Sequence, residues 1–140
     1  MARAQPNNGN PFAGDLLERG AAGYAGFAAS LLVERDPGLK DRQGPGALAS
    51  WRSHLTQRVL ELSAAVLAGD ARLFLGRVTW SRKAFRARGQ DDQDIRHSIQ
   101  ALRDVLVERL PKPALEPTLS CLDQALKLLA SPAPPPDPSE

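Results

Sequence analysis

The side chains able to do chemistry on their own are few and scattered: His54, His97 and Cys121 are the only histidines and the only cysteine in 140 residues. A di-iron site in a helical protein needs Glu-x-x-His pairs on facing helices, and neither histidine has a glutamate three residues before it. One cysteine allows no internal disulfide and no thiolate zinc cluster. No HExxH, Walker loop, GxSxG or GxGxxG occurs. Cys121 could be a nucleophile only with a histidine brought beside it. Its neighbour is a heptad leucine, Leu122, on an apolar stretch, so the expectation is a buried, inert thiol. His54, between Trp51 and Leu55, reads as a half-buried, hydrogen-bonded residue, with a haem or cobalamin contact as the rival reading. His97 follows Arg96 and is expected in solvent. The expectation is therefore a protein with no catalytic residue, no metal and no cofactor.

The elements that must carry these residues read as helices throughout. Asn10-Pro11 supplies a capping side chain and a proline at the first helical position. Leu16, Leu17, Tyr24, Phe27, Ala28, Leu31 and Leu32 then recur at helical spacing, interrupted by Gly20 and Gly23 as points of close backbone approach or of a kink. Asp36-Pro37-Gly38 ends this first helix, and residues 36–46 read as a loop rich in glycine and charge. A second helix, 48–68, carries Leu48, Trp51, Leu55, Val59, Leu62 and Val66, with Gly69 suited to a left-handed C-terminal position. Asp70 caps a third helix bearing Leu73, Phe74, Val78 and Phe85 that stops at Gly89. Asp91 and Asp94 resemble a capping box opening a fourth, with Ile95, Ile99, Leu102, Leu106 and Leu110 buried and Pro111 and Pro113 at its end. A fifth, 114–129, repeats Leu115, Leu119, Leu122, Leu126 and Leu129. No segment alternates as a strand does. The pattern predicts an all-α fold, an antiparallel bundle of about five helices over 10–130, with residues 1–9 and the Pro-rich tail 131–140 disordered.

Composition narrows the function class. Hydrophobic residues make up 42% and aromatic residues 5%, so leucine, alanine and valine must build the core. A net charge of +2 gives no general argument for nucleic acid. The Arg, Ala, Gly and Pro usage suits a GC-rich, bacterial genome. No apolar leader and no membrane-length apolar run is present, so a soluble, cytoplasmic protein is expected.

One segment departs from charge balance. The third helix and its end carry Arg72, Arg77, Arg82, Lys83, Arg86 and Arg88 against Asp70 alone, with Trp80 and Phe85 interleaved. Arg77, Trp80, Arg82, Lys83 and Arg86 form the candidate partner-binding set. They are expected to face solvent as a cationic face with an aromatic anchor, suited to an acidic protein and, as an alternative, to nucleic-acid phosphates. The bland reading is a solvated face whose last-turn cations complement the helix dipole. A bundle binding a hydrophobic ligand or tetrapyrrole near His54 is the remaining alternative. Acidic residues gather on the fourth helix (Asp91, Asp92, Asp94, Asp104, Glu108), so self-association through opposite poles is also open.

The stretch from Trp51 to Leu129, through WRSHL, LSAAVLAGDARLF, VTWSRKAFRARG and IQALRDVLVERLP, resembles a helical module found upstream of cobalamin-binding domains in bacterial sensory proteins. It is also distantly similar to the N-terminal partner-binding domain of the stress-response phosphatase family RsbU. The resemblance implies a helical, dimerising domain that binds a regulatory protein. No cobalamin-binding or phosphatase domain follows in these residues, so a stand-alone module acting in trans is the expectation. The resemblance assigns a role to no individual residue.

Overall fold

A computed structural model describes residues 9–131. Six helices follow one another among them: α1 (Pro11–Arg35), α2 (Gly38–Gln43), α3 (Ala47–Ala68), α4 (Arg72–Ala87), α5 (Gln93–Arg109) and α6 (Lys112–Ala130). The described residues form an all-helical bundle without strands, and no helix is long and apolar enough to cross a membrane. The expected disorder of 1–8 and 132–140 lies outside the described residues.

The count differs from five because the loop after α1 contains α2, a six-residue helix held down by the fully buried Leu39. Six residues are too few to show a helical period, which hid it. The expected third, fourth and fifth helices are thus α4, α5 and α6.

Asn10 starts α1 as anticipated, its side chain accepting from the Ala13 N–H at 2.9 Å. The same residue donates its backbone N–H to the Val66 carbonyl and its amide to the Pro113 carbonyl, tying α1 to α3 and α6. Pro117 sits inside α6 and cannot donate to that Pro113 carbonyl; Asn10 supplies the missing donor. α1 packs most extensively on α3 and next on α5. The glycine that permits the close approach is Gly14, where an added Cβ would lie 3.2 Å from that of Leu67. Ser63 also donates to the Gly14 carbonyl at 2.7 Å. Gly20 and Gly23 do not have that role. Nothing lies within 4 Å of a Cβ at Gly23, the nearest atoms at Gly20 are those of Tyr24 in its own helix, and α1 runs unbroken through both.

The expected face of α1 is largely inside, with Leu17, Ala28 and Leu32 buried and Leu16, Tyr24 and Leu31 packed half-buried against the core, but small residues join it and Phe27 leaves it. Ala13, Leu17, Ala21, Ala25, Ala28 and Leu32 are buried, whereas Phe27 is 50% exposed, with the Arg109 guanidinium 3.7 Å above its ring. In α6 the buried line is Ala114, Thr118, Cys121, Leu122, Ala125 and Leu129. Leu115, Leu119 and Leu126 flank it half-buried. α3 and α5 match expectation more closely. Trp51, Leu55, Val59, Leu62 and Val66 are buried and Leu48 is exposed; Ile95, Ile99, Leu102, Leu106 and Leu110 are all buried. Gly69 ends α3 in the left-handed region at φ 67°.

Candidate interaction surface

The placement of α4 starts from its inner face. Phe74 and Val78 are fully buried and Phe85 nearly so. Counting on by four from Phe74 and Val78 reaches Arg82, which is therefore on this inner face and only 7% exposed. The expectation that Arg82 faces solvent is corrected. Its Nε donates to Asp92 Oδ2 at 2.9 Å and its terminal nitrogens to the Leu128 and Ser131 carbonyls. The end of α6 leaves carbonyls without helical partners, and a long cation from α4 reaches them.

A second buried arginine braces α4 from below. Arg58 of α3 is 3% exposed. It donates to Ser81 Oγ of α4 at 2.7 Å, pairs with Glu61 at 2.8 Å, and lies 3.1 Å from His54 Nε2. Burial, and then the Arg58 charge, lower the His54 pKa to about 4. The ring is therefore neutral near pH 7 and its Nε2 lone pair faces the guanidinium. Trp51 contacts it edge-on at 5.0 Å and Phe85 at 6.0 Å. His54 is thus engaged in packing and hydrogen bonding at the α3–α4 contact.

The outer face of α4 is what remains. Trp80 is 64% exposed, the largest fraction among the exposed large apolar residues, and Leu73, expected in the core, is 48% exposed. Arg77, Lys83 and Arg86 are exposed as anticipated. Among the described residues, Arg77 and Lys83 make no ion pair or side-chain hydrogen bond, whereas Arg72 is fastened to Asp70 at 2.9 Å. Gly76 lies between Leu73 and Trp80 with nothing within 4 Å of the position a Cβ would take. The structure therefore brings Arg77, Trp80 and Lys83 to one exposed side, leaves the exposed Arg86 about half a turn round the helix from Arg77, removes Arg82 from that side, and adds Leu73 and Gly76. Leu73 was legible as the residue seven before Trp80, and Gly76 as a glycine in mid-helix without a capping role.

A second polar cluster joins α2 to α5. The expected Asp91–Asp94 capping box does not form: the cap position is Asp92, whose side chain makes no capping bond, Asp91 accepts from the Gln93 N–H, and Asp94 turns away to Arg42 at 3.1 Å and Gln43 at 3.1 Å. Gln43 in turn accepts from the Trp51 indole at 2.8 Å. Asp36, Asp94 and the exposed His97 bring ligand atoms within 4.8 Å of one another. Arg42 bridges both carboxylates, at 2.7 Å to Asp36, so a protein cation already holds the place a metal would take. Arg42, Gln43, Ser50, Gln90, Asp91 and Asp94 line a shallow polar cleft of about 690 Å³ beside it. Cys121 is buried, and burial pushes its thiol pKa up.

No family model, curated protein or solved structure matches the chain.

Proposed function

We propose that this chain is a non-catalytic interaction module of a bacterial signalling system, an antiparallel bundle that docks a protein partner on the outer face of α4. The observation that carries the reading is Trp80, exposed beside Leu73 and two unpaired cations on a helix whose inner face is locked in place. Exposed Trp and Arg on a rigid element are the usual anchors of protein interfaces. Of the two other exposed aromatics on helices, Phe27 already has Arg109 over its ring and Phe12 lies in the first turn of α1. Nucleic acid is the weaker reading. Arg82 is buried against Asp92 and so is lost to phosphate binding, and the exposed Arg72 already has Asp70 beside it. The resemblance to dimerising regulatory modules adds a second copy as a further partner, to be read by sedimentation.

The test is recovery of a partner from the native lysate on the tagged full chain, compared among the parent, Trp80→Ala and Leu67→Ala, with circular dichroism of each. Partner recovery lost only in Trp80→Ala, at unchanged helicity, supports the reading. Equal recovery by all three moves the interface off α4.

A further inference from the structure

We infer that the partner surface fitting the outer face of α4 is an amphipathic helix whose apolar stripe is edged on both sides by Asp or Glu; this rests on the reading of α4 as a docking face. At 3.6 residues per turn, Arg77, Leu73, Trp80, Gly76 and Lys83 fall in that order across a band about 120° wide. The middle of the band is apolar, and a cation stands at each edge. That width matches the apolar stripe by which one helix packs on another. The α4 segment itself contains five basic residues and no Asp or Glu; Arg72 and Arg82 pair with acids outside it, whereas among the described residues Arg77 and Lys83 have no carboxylate partner. The missing charge belongs on the occupant, at both edges of its stripe.

Gly76 specifies a helix. A glycine inside a helix destabilises it by roughly 1 kcal/mol relative to alanine. At Gly14 that loss has a reason inside the fold, because α3 lies against it. At Gly76, as at Gly23, nothing in the described structure uses the space, but Gly76 alone of the two lies between exposed large apolar residues, Leu73 and Trp80. The missing side chain leaves a hole bounded by Leu73, Arg77 and Trp80, one turn apart along the helix. Such a hole accepts an apolar knob from a helix crossing it. The two buried arginines below add rigidity, since Arg58 grips Ser81 and Arg82 grips Asp92, so the hole keeps its shape before a partner arrives. A nucleic-acid strand would use Trp80 for stacking but has no use for the hole or for Leu73.

The experiment uses the isotopically labelled full chain, which has two indole N–H signals, that of Trp80 being assigned by its loss in Trp80→Phe. The probes are two synthetic helical peptides with the same leucine stripe, one edged by glutamate and the other by lysine, and a fifteen-nucleotide oligo-dT. The expected result is a saturable shift of the Trp80 indole, and not of Trp51, by the glutamate-edged peptide alone. Arg77→Glu with Lys83→Glu should weaken that peptide by roughly tenfold or more and transfer the preference to the lysine-edged one. Gly76→Leu, which fills the hole, should abolish the shift while the melting temperature stays level or rises. Equal binding of both peptides, a shift by oligo-dT alone, or full binding by Gly76→Leu each overturns the inference. No shift by any probe also overturns it, and leaves the docking role of α4 to be judged by partner recovery with Trp80→Ala.

Discussion

Replacing Arg82 by methionine tests the corrected orientation of α4 most sharply, because Arg77, five residues earlier, provides a control of the same chemistry in solvent. Methionine keeps most of the side-chain stem and removes only the charge and its donors. The loss has two parts. Asp92, whose side chain is 18% exposed, keeps its charge with no partner; removing one member of a buried pair costs about 3–5 kcal/mol. The partial exposure of Asp92 places this case at the lower end. The Leu128 and Ser131 carbonyls also lose a charged donor. Together these give a destabilisation of about 3 kcal/mol, or on the order of 10 °C in melting temperature for a domain of this size. Arg77→Met and Lys83→Met should stay within about 0.5 kcal/mol of the parent, as surface substitutions do. Asp92→Asn in the Arg82→Met background should recover part of the loss, since it removes the orphaned charge. The assay is urea unfolding followed by circular dichroism, with the slope checked for constancy across variants. An Arg82→Met protein as stable as Arg77→Met would refute the placement of Arg82 and restore it to the solvent face.

Lowering the pH should destabilise the fold through His54. Its pKa is near 6.5 unfolded and about 4 folded, so the unfolded chain takes up the proton first. Stability present above pH 6.5 is lost as the pH falls toward 4, by up to about 3 kcal/mol, and His54→Gln should remove that part of the pH dependence in urea titrations at pH 7 and pH 4.5. Leu106→Ala and Leu122→Ala should each cost roughly 2–5 kcal/mol, because both side chains are fully buried, whereas Leu73→Ala should cost less than about 1 kcal/mol. Cys121 should resist alkylation near pH 8 in the native protein and react at once in denaturant; rapid native labelling would show α6 open at that point.

Helix identity was legible where the chain states its own ends. Asn10-Pro11 and Gly69 mark α1 and α3 through capping chemistry that depends on one or two residues, and the apolar row of α5 fixes its face. Leu17 and Leu32 made the inner face of α1 legible, but Phe27 was misplaced, and the buried alanines Ala13, Ala21 and Ala25 gave no strong signal because close contact favours small side chains. The exposed side of α4 was only half legible. Arg77, Trp80, Lys83 and Arg86 follow from charge and exposure, but charge is a poor guide to burial when an acid and two helix-end carbonyls wait inside. The steps of four from Phe74 through Val78 to Arg82 carried the information. Arg58 lies on the apolar stripe of α3 in the same way, four residues from His54, and sequence reasoning passed over it. The turn of Asp94 toward Arg42 depends on α2, so a reading without α2 could not anticipate it.

The measurement closest to the central claim is hydroxyl-radical footprinting of the full chain, free and in the complex recovered from its own lysate, read at each exposed apolar side chain. The account predicts that Trp80 and Leu73 become protected in the complex while Phe27, Leu60 and Leu67 keep their free reactivity. A complex in which Trp80 remains as reactive as in the free chain, with protection at α1 or α3 instead, would contradict it.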